Sequence, residues 1–122
     1  MRAWLANSLG ARLWVIVGLL GAAPAMANYT CQGVIDSVAL NQAGTLTITS
    51  TSSGLNTFYV CQIANTFNGV GPEVCKAIYA QMLAARVSGQ NVTWYFSDAL
   101  SCTTHPVWDW LTGWYFGPQL AN

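Results

Sequence analysis

The residues best suited to chemistry crowd into one stretch, His105-Pro106-Val107-Trp108-Asp109-Trp110, followed by Trp114-Tyr115. Sugars present apolar faces of C–H bonds beside hydroxyls, so flat aromatic rings flanked by a hydrogen-bonding carboxylate suit a sugar-binding surface. Trp108, Asp109 and Trp110 are therefore candidate ligand contacts. The same rings have a competing use, because a small domain needs large side chains to fill its core.

Catalytic sets are poorer. A Ser-His-Asp arrangement would have to use His105, the one histidine, with Ser101 and Asp109. Nothing around Ser101 resembles a nucleophile elbow, and His105 reads as a loop residue before a proline. A carboxylate pair for glycoside cleavage would come from Asp36, Glu73, Asp98 and Asp109. Glu73, however, suits a helix start and Asp98 a turn at a strand end. Glycine loops that cradle phosphate and cofactor signatures are missing. The expectation is a non-enzymatic protein with no catalytic residues and no cofactor.

All four cysteines, Cys31, Cys61, Cys75 and Cys102, lie in the later part of the 122-residue chain. An even number in a short exported chain points to disulfides, here two bridges with three pairings open. Zinc fits badly, with no Cys-x-x-Cys and a single histidine.

Export itself is read from residues 1–27. Arg2 and Arg12 precede an apolar run over 13–23, and Pro24-Ala25-Met26-Ala27 ends in small residues where a signal peptidase cuts. The run is shorter than the roughly 20 residues a helix needs to cross a bilayer. A cleaved signal and a single domain over 28–122 are expected, in the periplasm or the medium of a bacterium, with no stable membrane insertion after cleavage. Lys76 and Arg86 then face Asp36, Glu73, Asp98 and Asp109. Two cations cannot neutralise enough phosphates to hold nucleic acid, and they give little purchase on anionic lipid.

The elements that must position these groups follow from turn signals and periodicity. Residues 33–40, rich in valine and isoleucine, read as a first strand ending at Asn41-Gln42-Ala43-Gly44. Residues 45–49 alternate strictly, putting Leu46 and Ile48 on one face and three threonines on the other. Residues 57–63 suit a third strand. Gly71-Pro72-Glu73 starts a helix, Val74, Cys75, Ile78, Tyr79, Met82 and Leu83 recur at helical spacing, and Ser88-Gly89 stops it. Ala77, Ala80 and Ala84 form a small-residue stripe open to a neighbouring helix or to solvent. Residues 91–97 alternate Val92, Trp94 and Phe96 against Thr93, Tyr95 and Ser97, and 113–120 close the chain as a fifth strand. Three strands, a helix and two strands is the order of the OB-fold, a mainly β, five-stranded Greek-key barrel with its helix between strands three and four.

Three features resemble the B subunits of bacterial AB5 toxins, most closely the subtilase-cytotoxin B-like group. They are Gly33-Val34-Ile35 opening the first strand, Cys61 followed by Cys75, and Gly89-Gln90-x-Val92 leading into an aromatic strand through Tyr95. The resemblance implies a bridge from Cys61 to Cys75, leaving Cys31 for Cys102. It also implies a homo-oligomer, a pentameric ring, that binds sialylated glycans while a separate subunit carries catalysis. The two sugar contacts of that group, a serine before the first-strand glycine and a tyrosine late in strand four, fall on Gln32 and Phe96. The functional expectation is a glycan-binding domain, with a stand-alone module that binds another exported protein as the alternative.

Overall fold

The computed structural model describes residues 28–121, so the leader expected over 1–27 lies outside the described residues. The elements are β1 (Tyr29–Val34), β2 (Ser37–Leu40), β3 (Thr45–Ser50), β4 (Asn56–Gln62), α1 (Pro72–Ser88), β5 (Asn91–Phe96), β6 (Asp109–Trp110) and β7 (Trp114–Ala121). The protein is mainly β, with two sheets, one helix and two disulfides. One sheet has the order β1-β5-β7, the other β2-β3-β4-β6.

Seven strands in two sheets that do not close into one barrel replace the five-stranded barrel expected from the sequence. Two local events account for the difference. The single strand expected over 33–40 breaks at Ile35-Asp36, where the chain leaves one sheet and enters the other. Asp36 holds this corner: its N–H donates to the Thr49 carbonyl at 2.8 Å, and its carboxylate accepts from the Thr51 N–H at 2.8 Å and hydroxyl at 2.9 Å. Those Thr51 hydrogen bonds, backbone first, hold the Asp36 carboxyl below its usual range against desolvation, with a lesser contribution from the charge of Arg86. Arg86 Nε, in the last turn of α1, also donates to the Asp36 carbonyl at 2.9 Å. The second event lies in the long loop, where Asp109-Trp110 pairs in parallel with Phe58-Tyr59 of β4.

Alternation decides which side chains form the core. Leu46 and Ile48 of β3 are fully buried, while Thr47 and Thr49 point outward and are half-buried. On β4, Phe58 and Val60 point inward, and on β5 so do Val92, Trp94 and Phe96. Phe58 and Trp94 meet edge to face at 5.6 Å, and Trp114 meets Trp94 likewise at 5.3 Å. Each such ring removed from water contributes about 1.5–3 kcal/mol. Gly33 is required where the sheets cross, because any β-carbon there would run into the Ser52-Ser53 backbone.

The helix forms where its signals lie. Pro72 stands in the first turn, and Gly89, in the left-handed conformation, donates its N–H to the Ala85 carbonyl at 2.9 Å. Its buried line is Cys75, Ile78, Met82 and Ala85, narrower than the face read from the sequence. Val74 and Leu83 are exposed, as are Ala77, Ala80 and Ala84. The helix touches the sheets along one seam, fixed by the fully buried bridge from Cys61 on β4 to Cys75. The other bridge joins Cys31 on β1 to Cys102 in the long loop. Both pairings are those the toxin-subunit resemblance implies.

Candidate functional site

The long loop, residues 97–108, returns from β5 to the outer edge of β4. The Trp108 N–H donates to the Thr57 carbonyl at 2.8 Å, and the Leu111 N–H donates to the Tyr59 carbonyl at 2.8 Å, so 108–111 are laced along β4. Tyr59 points outward between the two tryptophans, its ring 6.4 Å from Trp108 and 5.6 Å from Trp110. Trp110 also meets Phe67 at 4.4 Å. The result is a track of four rings in the order Trp108, Tyr59, Trp110, Phe67. Trp108 is 65% exposed and Phe67 is exposed too, while Tyr59 and Trp110 are half-buried.

Polar groups border the rings. Thr47 stands opposite Tyr59 on β3 and so shares its face, and Thr49 opposes Thr57 with their hydroxyls 3.0 Å apart. Asp109 is exposed between the tryptophans, and its carboxylate accepts the Trp110 N–H at 2.7 Å. Trp108 adopts φ +56°, in the left-handed region that costs an L residue about 1–2 kcal/mol. A bulky, solvent-facing residue held in that conformation is not explained by packing. Backbone strain of this kind concentrates where a side chain is presented for function.

Beside the track lies a hollow of about 340 Å³ walled by Asn68, Leu111, Gly113, Trp114 and Tyr115 among others. The Asn68 side chain holds its floor, donating from Nδ2 to the Val60 carbonyl at 3.0 Å and to the Leu111 carbonyl at 2.8 Å. The Leu111 carbonyl also accepts from Trp114 Nε1 at 3.0 Å.

The base of the loop is tied by a second cluster. Tyr29 donates its hydroxyl proton to Asp98 Oδ1, and the phenol oxygen lies 2.8 Å from His105 Nε2. Because the phenol proton is committed to Asp98, His105 Nε2 must be the donor in that contact. His105 Nε2 is also 3.7 Å from Asp98 Oδ2. Burial lowers the His105 pKa, against an opposing pull from Asp98, and keeps the ring neutral. Burial, the Asp98 hydrogen bond and its charge together push the Tyr29 phenol well above its ordinary value.

The residues expected at the site divide. Trp108, Asp109 and Trp110 come together on β4. Gln32 is exposed but stands on β1 opposite Thr93, in the other sheet. Phe96 is corrected outright: it is 0% exposed, stacked on Tyr29 at 5.1 Å and against His105 at 4.6 Å, so no ligand reaches it. His105, read as a loop residue, is buried at 6% exposure. Ser101, His105 and Asp109 do not converge, since Ser101 bonds Thr103 and Thr104 while His105 bonds Tyr29. Tyr59 and Phe67 were missed from the sequence. Tyr59 carried a signal, being in the outward phase of its strand with Thr57, whereas Phe67 lies in a loop that gives none. Among the described residues no group of three or more histidines, cysteines or acids is placed to hold a metal ion.

Comparison with known protein families, with curated proteins and with solved structures yields no match to this chain.

Proposed function

We propose that this protein is an exported, non-catalytic sugar-binding domain of OB type, related in design to toxin B subunits, with Trp108, Tyr59, Trp110 and Phe67 as its contact surface. The observation that carries the reading is the open aromatic track bordered by threonine hydroxyls and Asp109, with Trp108 held there at a cost in backbone energy. Export is supported by the two disulfides, which belong to an oxidising compartment such as the periplasm or the extracellular medium.

The OB reading is supported by strand order. With β1 and β2 taken as the two halves of one bent strand, the long segments run three strands, α1 and two strands, and β6 brings the start of the last strand alongside β4. The loop between the fourth and fifth long strands, which carries Trp108, is part of the usual ligand rim of that architecture.

A glycan array probed with the purified secreted chain tests the proposal. Binding that disappears in Trp108→Asn supports it. Silence across sialylated and neutral sugars by folded protein rejects it. A second reading, a stand-alone module that binds another exported protein, is favoured by apolar residues left open on α1, where Val87 is 89% exposed, and by the groove of about 460 Å³ between α1 and β7. Light scattering bears on the toxin-like design, because a persistent monomer is incompatible with a ring.

A further inference from the structure

Resting on the sugar-binding reading, we infer that the ligand is an uncharged oligosaccharide chain lying along the surface, bound through several consecutive units and not through one terminal sugar. The geometry is that of a path. Successive rings from Trp108 to Phe67 are separated by 6.4, 5.6 and 4.4 Å, the scale of one pyranose ring in a chain, and each touches the next in a row instead of all meeting at one point.

The path continues past its last ring. Phe67 is followed by Asn68 and Trp110 by Leu111, and these two residues line the 340 Å³ hollow together with Trp114 and Tyr115. Tyr115 is 56% exposed, a second aromatic surface beyond the hollow. A monosaccharide on Trp108 has no use for Tyr115, whereas a chain running along the rings reaches it. The hollow adds polar residues that an aromatic strip alone lacks, Asn68 and Thr112 among its lining.

Charge sets the class of sugar. The one carboxylate in the segment that carries the two tryptophans is Asp109, an anion. The cations among the described residues, Lys76 and Arg86, both lie on α1, Lys76 against Glu73 at 3.2 Å and Arg86 against the Asp36 carbonyl. An acidic sugar on the track meets repulsion from Asp109 with no counter-charge, while a neutral chain gives Asp109 hydroxyls to accept from.

The test is calorimetric titration of the secreted chain with glucose and N-acetylglucosamine oligomers from monosaccharide to hexasaccharide, and with a sialylated trisaccharide. Affinity is expected to rise about tenfold or more between the disaccharide and the longest oligomers in the series that binds. Tyr115→Ala is expected to erase that rise and to leave the short oligomers unaffected, and Trp108→Asn to weaken every length. Circular dichroism of each variant reports folding. Equal affinity at all lengths with Tyr115→Ala silent overturns the extended path and leaves the sugar-binding reading standing. Preference for the sialylated probe overturns the charge argument. Absence of binding to these probes and to the glycan array overturns both.

Discussion

Replacing Trp108 by asparagine separates presentation for function from packing. The side chain is 65% exposed and its main ring contact is an edge-on approach to Tyr59 at 6.4 Å, so its removal forfeits about 0.5–1.5 kcal/mol. Asparagine tolerates the left-handed backbone, and relief of the φ +56° conformation returns about 1 kcal/mol of the 1–2 kcal/mol the tryptophan costs there. The two effects nearly cancel, and Trp108→Asn is expected to unfold within about 1 kcal/mol of the parent. Trp94, 1% exposed between Phe58 and Trp114, is the control: Trp94→Ala is expected to lose about 3–5 kcal/mol. Urea titration followed by circular dichroism reads both, provided the slopes agree. Sugar affinity is expected to fall about 30-fold or more in Trp108→Asn, the loss typical of an aromatic hot spot. A stability loss above about 2 kcal/mol in Trp108→Asn refutes the argument, because the ring would then be a structural member with no need of a ligand.

Four further outcomes follow. His105 has a folded pKa below its unfolded value of 6.5, so its contribution is present above that pH and lost as pH falls through it; urea midpoints measured from pH 7 to 5 should drop in the parent and stay flatter in His105→Gln. Tyr29 has the opposite sign, its phenol pKa raised above 10.0, so stability is expected to fall as pH rises beyond that value, and Tyr29→Phe should remove this loss. Paired replacement of Cys31 and Cys102, which close a separation of 71 residues, should cost about 4.4 kcal/mol against about 3 kcal/mol for Cys61 and Cys75, separated by 14, in denaturant titrations of each double variant. Gly113→Ala meets both a φ of +80° and the Asp98 carboxylate, and an expected loss of about 2 kcal/mol or more is read by thermal melting.

The legible parts of the fold were those set by local pattern. Alternation over 45–49 sorted Leu46 and Ile48 from the threonines, and the Pro72 and Gly89 signals bounded the helix, because neighbouring residues alone determine both features. The sheet switch at Ile35-Asp36 was not legible, since it is made by Thr51, which lies fifteen positions away from Asp36. His105 read as an ordinary loop residue because its partner Tyr29 is 76 positions distant. Trp108, Asp109 and Trp110, singled out by residue chemistry, lie together beside β4, whereas the rings that stand next to them, Tyr59 and Phe67, were not singled out. Phe96 shares the alternation phase of Val92 and Trp94, all three of which are buried, whereas the family resemblance set it against a ligand. Periodicity was the better guide, because it reflects packing within this chain.

The two clusters of the long loop make one argument about its rigidity. A loop that presents a tryptophan loses affinity in proportion to the freedom it must surrender on binding. Here the base is fixed by the Cys31–Cys102 bridge and by Tyr29, Asp98 and His105, while the far end is sewn to β4 through Trp108 and Leu111 backbone bonds. Gly113 accepts the Ser97 N–H at 3.0 Å and so closes the loop on itself. The chain between has few ways to rearrange, and the strain at Trp108 is sustained because both flanks are held. Acid should therefore act on binding before it acts on the fold: protonation of buried His105 loosens the base while the Cys61–Cys75 bridge and the Phe58–Trp94 core are untouched. If the track binds sugar as proposed, affinity of the parent should decline as pH is lowered below 6.5, at constant far-ultraviolet dichroism. A binding curve flat across that interval would mean that the histidine anchors the loop no better charged than neutral.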